Sequence, residues 1–180
     1  MVLLALAACA DRPTEVHAST SPAAATTPAP PVSAPTPAAS DQDGAPVSLA
    51  DLYQKGPVLV YFYPKADTPG CTAQACSLRD AYQKLTDAGL TVIGVSKDSA
   101  AQQKAFRDKY NLPFILIPDP EGVVLQAFGV SSLAGMASRE AFLIKDGQIV
   151  WHDDSASTSQ QADDVLRQLA TWSNPVRSTP

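Results

Sequence analysis

The passage from residue 58 to residue 88 limits the fold more than any other part of the chain. Val58-Leu59-Val60-Tyr61-Phe62-Tyr63 is a β-branched and aromatic run of the right length for a buried sheet strand. The loop Pro64-Lys65-Ala66-Asp67-Thr68-Pro69 then opens directly into a helical pattern over residues 70–88. Leu78, Tyr82 and Leu85 recur there at helical spacing, and Gly89 follows as a stop. Cys71 therefore falls in the first helical turn. Unpaired backbone N–H groups and the positive end of the helix dipole favour a thiolate there, and the thiolate is the nucleophilic form. Thr68 stands three residues earlier, so its hydroxyl can reach the space above the sulfur. Pro64 and Pro69 stiffen the loop by fixing φ and removing backbone donors. The expected product is an exposed sulfur beside a hydroxyl and several N–H donors, suited to attack on a small polar molecule.

This segment resembles the active site of the peroxiredoxins, whose pattern of Pro, three residues, Thr, two residues, Cys is met by Pro64, Thr68 and Cys71. The longer string YFYPKADTPGCTAQACSLRD is most similar to the peroxiredoxin Q group, also called bacterioferritin comigratory protein, and the similarity spans residues 41–172. The resemblance implies that Cys71 is the peroxidatic cysteine and Cys76 the resolving one. It also implies that Arg139, in SREAFLIKDG, is the arginine that opens a late strand and holds thiolate and peroxide together. The implied reaction reduces hydrogen peroxide and organic hydroperoxides. Cys71 becomes a sulfenic acid, Cys76 condenses with it, and a thioredoxin-like or other disulfide reductant restores both thiols. No cofactor and no metal are implied, and the group leans towards monomers.

Geometry adds a condition. On an intact helix, five residues give about 7.5 Å of rise and about 140° of rotation, so the two side chains point to nearly opposite faces. A disulfide needs Cα atoms within roughly 7 Å and converging Cβ vectors. The first turns of this helix must therefore unwind in each cycle.

The rest of the chain alternates in the same way. Residues 90–95 and 114–117 read as strands, the second ended by Pro118-Asp119-Pro120. Residues 100–110 read as a helix with Ala101, Ala105 and Tyr110 among charges, and residues 121–128 as a short helix. Residues 141–144 and 148–151 flank Asp146-Gly147, a hairpin signal, and residues 159–172 form an amphipathic helix with Val165, Leu166 and Leu169 inward. The expected class is α/β, a thioredoxin-like mixed β-sheet flanked by helices, which is also the peroxiredoxin fold. Asp98 and Asp119 read as turn or capping residues, Trp151 as strand packing, His152 as exposed, and Pro69 and Gly70 as residues that shape the loop.

Three segments are expected. Residues 1–9 contain Leu6-Ala7-Ala8-Cys9, which looks like a bacterial lipobox, and this use of Cys9 would account for the third of three cysteines. The apolar run is too short to cross a membrane and has no Lys or Arg before it. A lipid on Cys9 would place the protein outside the cytoplasm, on the periplasmic side, and Ala10 after it suggests the outer membrane. Residues 10–39, dominated by Pro, Ala, Ser and Thr, read as a disordered tether. Residues 40–180 form the folded domain. The family's opening hairpin is expected to be shortened or missing, because Ala34-Pro35-Thr36-Pro37-Ala38 lacks the usual aromatic and Pro37 argues against a central strand.

The formal net charge of −5, with no basic stripe visible in the sequence, argues against a nucleic-acid partner. Two rival functions fit the residues less well. A Sco-like copper protein would use Cys71, Cys76 and His152, but the cysteine spacing is one residue too long and Thr68 and Arg139 would have no role. A thiol–disulfide oxidoreductase would show CxxC, and CTAQAC is not CxxC.

Overall fold

The computed structural model describes residues 32–173. The lipobox-like segment with Cys9 and the tether up to residue 31 lie outside the described residues. Three short strands come first: β1 (Val32–Ser33), β2 (Ala39–Ser40) and β3 (Pro46–Val47). Then follow α1 (Leu49–Lys55), β4 (Val58–Phe62), α2 (Pro69–Asp80), α3 (Tyr82–Asp87), β5 (Thr91–Ser96), α4 (Ala100–Tyr110), β6 (Ile115–Pro118) and α5 (Val123–Ala127). The chain continues with β7 (Ser132–Leu133), β8 (Met136–Ala137), β9 (Glu140–Lys145), β10 (Gln148–Asp153) and α6 (Gln161–Ser173).

The main sheet has the order β1-β10-β9-β4-β5-β6. β4, β5 and β6 are parallel because helices separate them in sequence, and parallel neighbours need such crossovers. β9 runs antiparallel to β4 and turns back into β10 through Asp146 and Gly147, both at positive φ. That is the backbone an Asp-Gly hairpin supplies. The result is the mixed α/β sheet with flanking helices that the sequence called for.

All of β4 is buried, and its side chains alternate between two cores. Leu59, Tyr61 and Tyr63 face one core with Cys71, Ala75, Leu78, Phe106, Val165 and Leu169. Val58, Val60 and Phe62 face the other with Leu49, Tyr53, Val124 and Leu125. A strand covered on both faces has no polar side, so the sequence shows an unbroken apolar run.

The structure corrects several expectations. The helix over 70–88 is two helices, because Ala81 (φ −94°, ψ 2°) leaves the helical conformation. The turn there lets Tyr82 lie against the Phe114 ring while Leu85 stays buried. Residues 32–39, assigned to the tether, lie against the sheet: Val32 pairs with Ile149, and Tyr53 Oη donates to the Pro35 carbonyl at 2.9 Å. Proline lacks a donor but keeps its acceptor, which suits an edge. The opening hairpin is present in shortened form, as Ala39–Ser40 against Pro46–Val47. In α4 the inward residues are Gln103 and Phe106, while Ala101 and Ala105 are exposed. The short helix spans only Val123–Ala127, with the buried Asp119 accepting from the Leu125 N–H at 2.9 Å. β10 runs two residues further than expected and includes His152.

Candidate active site

β4 aims the chain at the site. Its ladder continues through Tyr63, whose N–H bonds the Val95 carbonyl at 3.1 Å, and the loop then climbs through Pro64 to the start of α2. Thr68 is the extended residue before the helix (φ −95°, ψ 152°), and Pro69 occupies the first turn, where a missing N–H costs nothing. Thr72 N–H already bonds the Thr68 carbonyl at 2.8 Å. Helical geometry then leaves the Gly70 and Cys71 N–H groups without an intrahelical partner at the mouth of the helix.

Cys71 is only 1% exposed, which corrects the expectation of an exposed sulfur. It packs in the same core as Tyr61, Tyr63 and Ala75. Arg139, just before β9, reaches across and places Nη2 3.4 Å from Cys71 Sγ. Its Nη1 donates to Gln74 Oε1, and Gln74 Nε2 donates to Gln161 Oε1 at the start of α6. A Cβ on Gly70 would stand 3.4 Å from Arg139 Nη2 and from the Thr158 methyl, so glycine leaves room for the guanidinium. Thr68 Oγ1 donates to the Lys65 carbonyl at 2.9 Å and does not cap α2. Cys76 is half-buried on the same unbroken helix, and both cysteines are free thiols. Cys71, Arg139 and the loop with Thr68 and Pro64 are thus gathered at one helix terminus, while Cys76 is held away from the sulfur it would bridge.

Against known proteins, the AhpC/TSA family model matches residues 26–152. The chain belongs to the AhpC/TSA family. It is 42% identical over 133 residues to chloroplastic peroxiredoxin Q of Sedum lineare, covering 72% of this chain and 71% of that one. Among solved structures, peroxidoxin BcpB from Mycobacterium tuberculosis superposes with a TM-score of 0.74 at 31% identity, covering 82% of this chain and 97% of that one. A Xanthomonas campestris bacterioferritin comigratory protein, described for its alkyl peroxide reduction activity, superposes with a TM-score of 0.70 at 26% identity over 77% of this chain and 97% of that one. The thioredoxin-like sheet is therefore the peroxiredoxin fold.

In this peroxiredoxin the loop before Cys71 rests on a buried polar network. Asp98 Oδ2 accepts from the Ala66 N–H at 2.7 Å and from Ser96 Oγ at 2.6 Å. Gln103 Nε2 donates to Ser96 Oγ at 2.7 Å, and Gln103 Oε1 accepts from Tyr63 Oη. Burial pushes the Tyr63 phenol far above its usual range and keeps it a neutral donor. Tyr61 is raised in the same way by burial, and its hydroxyl has no hydrogen-bond partner among the described residues. Asp119 caps the start of α5, as read from sequence, but Asp98 is a buried anchor for the loop at Ala66 rather than a turn or capping residue. Sequence reasoning missed Gln74 and Gln161. Gln74 sits three residues after Cys71 on the helix, a spacing that brings side chains together. Nothing in the sequence marks Gln161.

His152 does not join the cysteines. Its Nε2 contacts Glu140 Oε2 at 2.9 Å, and its ring stacks on Phe142 with centroids 4.1 Å apart. Trp151 packs against the core that holds Cys71. Among the described residues, no group of three His, Cys, Asp or Glu side chains is arranged to hold a metal ion.

Proposed function

We propose that this chain is a thiol-dependent peroxidase that reduces hydrogen peroxide and organic hydroperoxides through Cys71, with Cys76 as the resolving thiol. The observation that carries the reading is the Arg139 guanidinium 3.4 Å from Cys71 Sγ at the start of α2. The thiolate attacks one peroxide oxygen in line. The O–O bond breaks, the second oxygen leaves as water or alcohol once protonated, and Cys71 holds the first as a sulfenic acid. Arg139 and the free N–H groups at the helix mouth stabilise the charge as it moves along the breaking bond. Thr68 has committed its proton to Lys65, so its oxygen can only accept, and a hydroperoxide O–H is the donor it fits. Pro64 fixes the exit from β4 that sets this loop.

The sulfenic acid then condenses with Cys76: a disulfide forms, and the oxygen leaves as water. A dithiol reductant such as a thioredoxin-like protein restores both thiols by exchange. Near-complete burial of Cys71 favours this reading over protein disulfide exchange, because a small hydroperoxide can reach a sulfur that a protein disulfide cannot. Stopped-flow reaction with peroxide on wild type, Cys71→Ser and Cys76→Ser tests it. Cys71→Ser is expected to abolish the fast reaction. Cys76→Ser is expected to keep the first turnover and lose recycling by a disulfide reductant. Fast consumption by Cys71→Ser would end the reading.

The location is a proposal as well. Leu6-Ala7-Ala8-Cys9 supports anchoring outside the cytoplasm through lipid on Cys9, with the Pro-rich tether as spacer. Mass spectrometry of the mature N-terminus checks it; an unmodified Cys9 would leave it without support.

A further inference from the structure

Gln161 stands out among the buried polar residues because half of its amide has no partner. Its side chain is wholly buried at the start of α6. Its Oε1 accepts from Gln74 Nε2, and its Nε2 has no hydrogen-bond partner among the described residues. A buried amide left half-satisfied is costly, and an apolar residue of similar size would pack there without that cost. What the amide adds is its hold on Gln74. Gln74 lies between Cys71 and Cys76, on the stretch of α2 that must unwind before the two sulfurs can meet. From its other end it receives Arg139, which also donates to Cys71 Sγ at 3.4 Å. A second contact follows the same seam, where the Ala162 N–H donates to Ser77 Oγ at 3.4 Å.

We propose that Gln161 is a positioning residue that latches α2 in its helical form, and so sets how long Cys71 stays beside Arg139 before the helix opens towards Cys76. The proposal rests on the peroxidase reading above. It makes the two chemical steps depend on the latch in opposite senses. Attack on the peroxide needs the latch closed, with Arg139 held by Gln74. Condensation of the Cys71 sulfenic acid with the Cys76 thiol, releasing water, needs it open. A sulfenic acid kept in the closed form meets a second hydroperoxide, which oxidises it to sulfinic acid as alcohol or water leaves.

The test uses the full reduced chain as wild type, Gln161→Leu and Gln161→Glu. Gln161→Leu is expected to raise amide hydrogen exchange at residues 72–76 roughly fivefold while β4 and β5 keep their protection. Gln161→Glu, which retains an oxygen to accept from Gln74, is expected to exchange like wild type. With hydrogen peroxide, Gln161→Leu is expected to capture peroxide more slowly, close the disulfide faster and yield less sulfinic acid. Unchanged exchange at residues 72–76 would overturn the proposal. So would exchange raised equally across the sheet, or the two chemical steps slowing together, since those mark a merely structural residue. Should Gln161→Leu not fold, Gln161→Asn, one methylene short of Gln74, takes its place in the same measurements. Exchange is read without peroxide, and wild-type peroxide consumption is scored separately. A working latch on an inactive enzyme and an active enzyme without a latch therefore give different results.

Discussion

Arg139 makes two contacts with one planar fork: Nη1 on Gln74 and Nη2 on the sulfur. Lysine would keep the charge but has a single ammonium and no fork. Arg139→Lys is therefore expected to lower the second-order rate with peroxide by about 100-fold, the usual loss for one aimed donor at a centre of developing charge. Stopped-flow kinetics checks it, and a rate near wild type would mean that charge alone suffices. Asp67 belongs to the same loop and takes a left-handed conformation (φ 58°) that Asp and Asn tolerate. Lys109 Nζ bonds both its oxygens at 2.8 Å and Tyr110 Oη donates to one at 2.6 Å. The Lys109 bond, then the Tyr110 bond, hold this exposed carboxyl below its ordinary range, and Lys109 is raised in turn. A depressed carboxyl contributes fully above its unfolded value near 3.9, and the contribution fades as pH falls through the lower folded value. A raised lysine contributes fully below about 10.4 and fades above it. The loop anchor should therefore hold across neutral pH and loosen in acid below about pH 4. Asp67→Asn, which keeps the backbone conformation, should loosen it at every pH. Amide exchange at residues 65–68 reads both outcomes, and identical protection in Asp67→Asn would remove Asp67 from the account. Of these residues, Cys71 and Thr68 were legible from their spacing at the mouth of the helix, whereas Arg139, 68 residues from Cys71, was legible only through the peroxiredoxin resemblance. Gln74 and Gln161 were not, since their roles come from a contact between positions 87 apart.

At the scale of elements, β4 and β5 meet at the tightest contact described for any glycine. A Cβ on Gly94 would lie 2.8 Å from Leu116 Cδ2 and from the Tyr61 ring and hydroxyl. Tyr61 is fully buried and stacked on Tyr63, so it cannot swing away into solvent. Gly94→Ala should destabilise the protein by about 1–3 kcal/mol through overpacking. Urea unfolding measures it, and an unchanged midpoint would show that this core repacks freely. The strands and helices that the sequence made plain are those whose own residues suffice to specify them. β4 shows as an apolar run because both faces are covered. α4 begins where Ser99 and Gln102 form a reciprocal capping box. β9 and β10 follow from Asp146-Gly147. The break at Ala81 was hidden because alanine is a good helix former, and the turn follows from where Tyr82 and Leu85 pack. β1 was hidden because two residues after a proline carry no pattern of their own; only the edge of β10 makes them a strand. Gln103 defied the polar-outside rule because Tyr63, Ser96 and the Ile117 carbonyl give its amide partners.

Over the whole molecule, the chemistry sits against one face of the sheet, and only α2 stands between the two cysteines. The core on the other face, built on Leu49, Tyr53 and Phe62, includes neither cysteine. Oxidation therefore has a local structural consequence with an effect on global stability. Closing a loop as short as Cys71 to Cys76 restrains the unfolded chain by about 2 kcal/mol. Reaching that bond removes Cys71 and Ala75 from their core and withdraws Gln74 from both Arg139 and Gln161. Buried Gln161 then loses its one partner at about 1–3 kcal/mol, half-buried Arg139 loses another, and the apolar contacts of Cys71 and Ala75 go with them. The losses exceed the gain, so this disulfide should lower stability. Peroxide-oxidised protein is expected to melt below the reduced form and to show less helix by far-ultraviolet circular dichroism. Cys76→Ser, which cannot close the bond, should keep its helix after one equivalent of peroxide. An oxidised protein that melts higher with its helix intact would mean that the sulfurs meet without unwinding, and the spacing argument for α2 would fail with it.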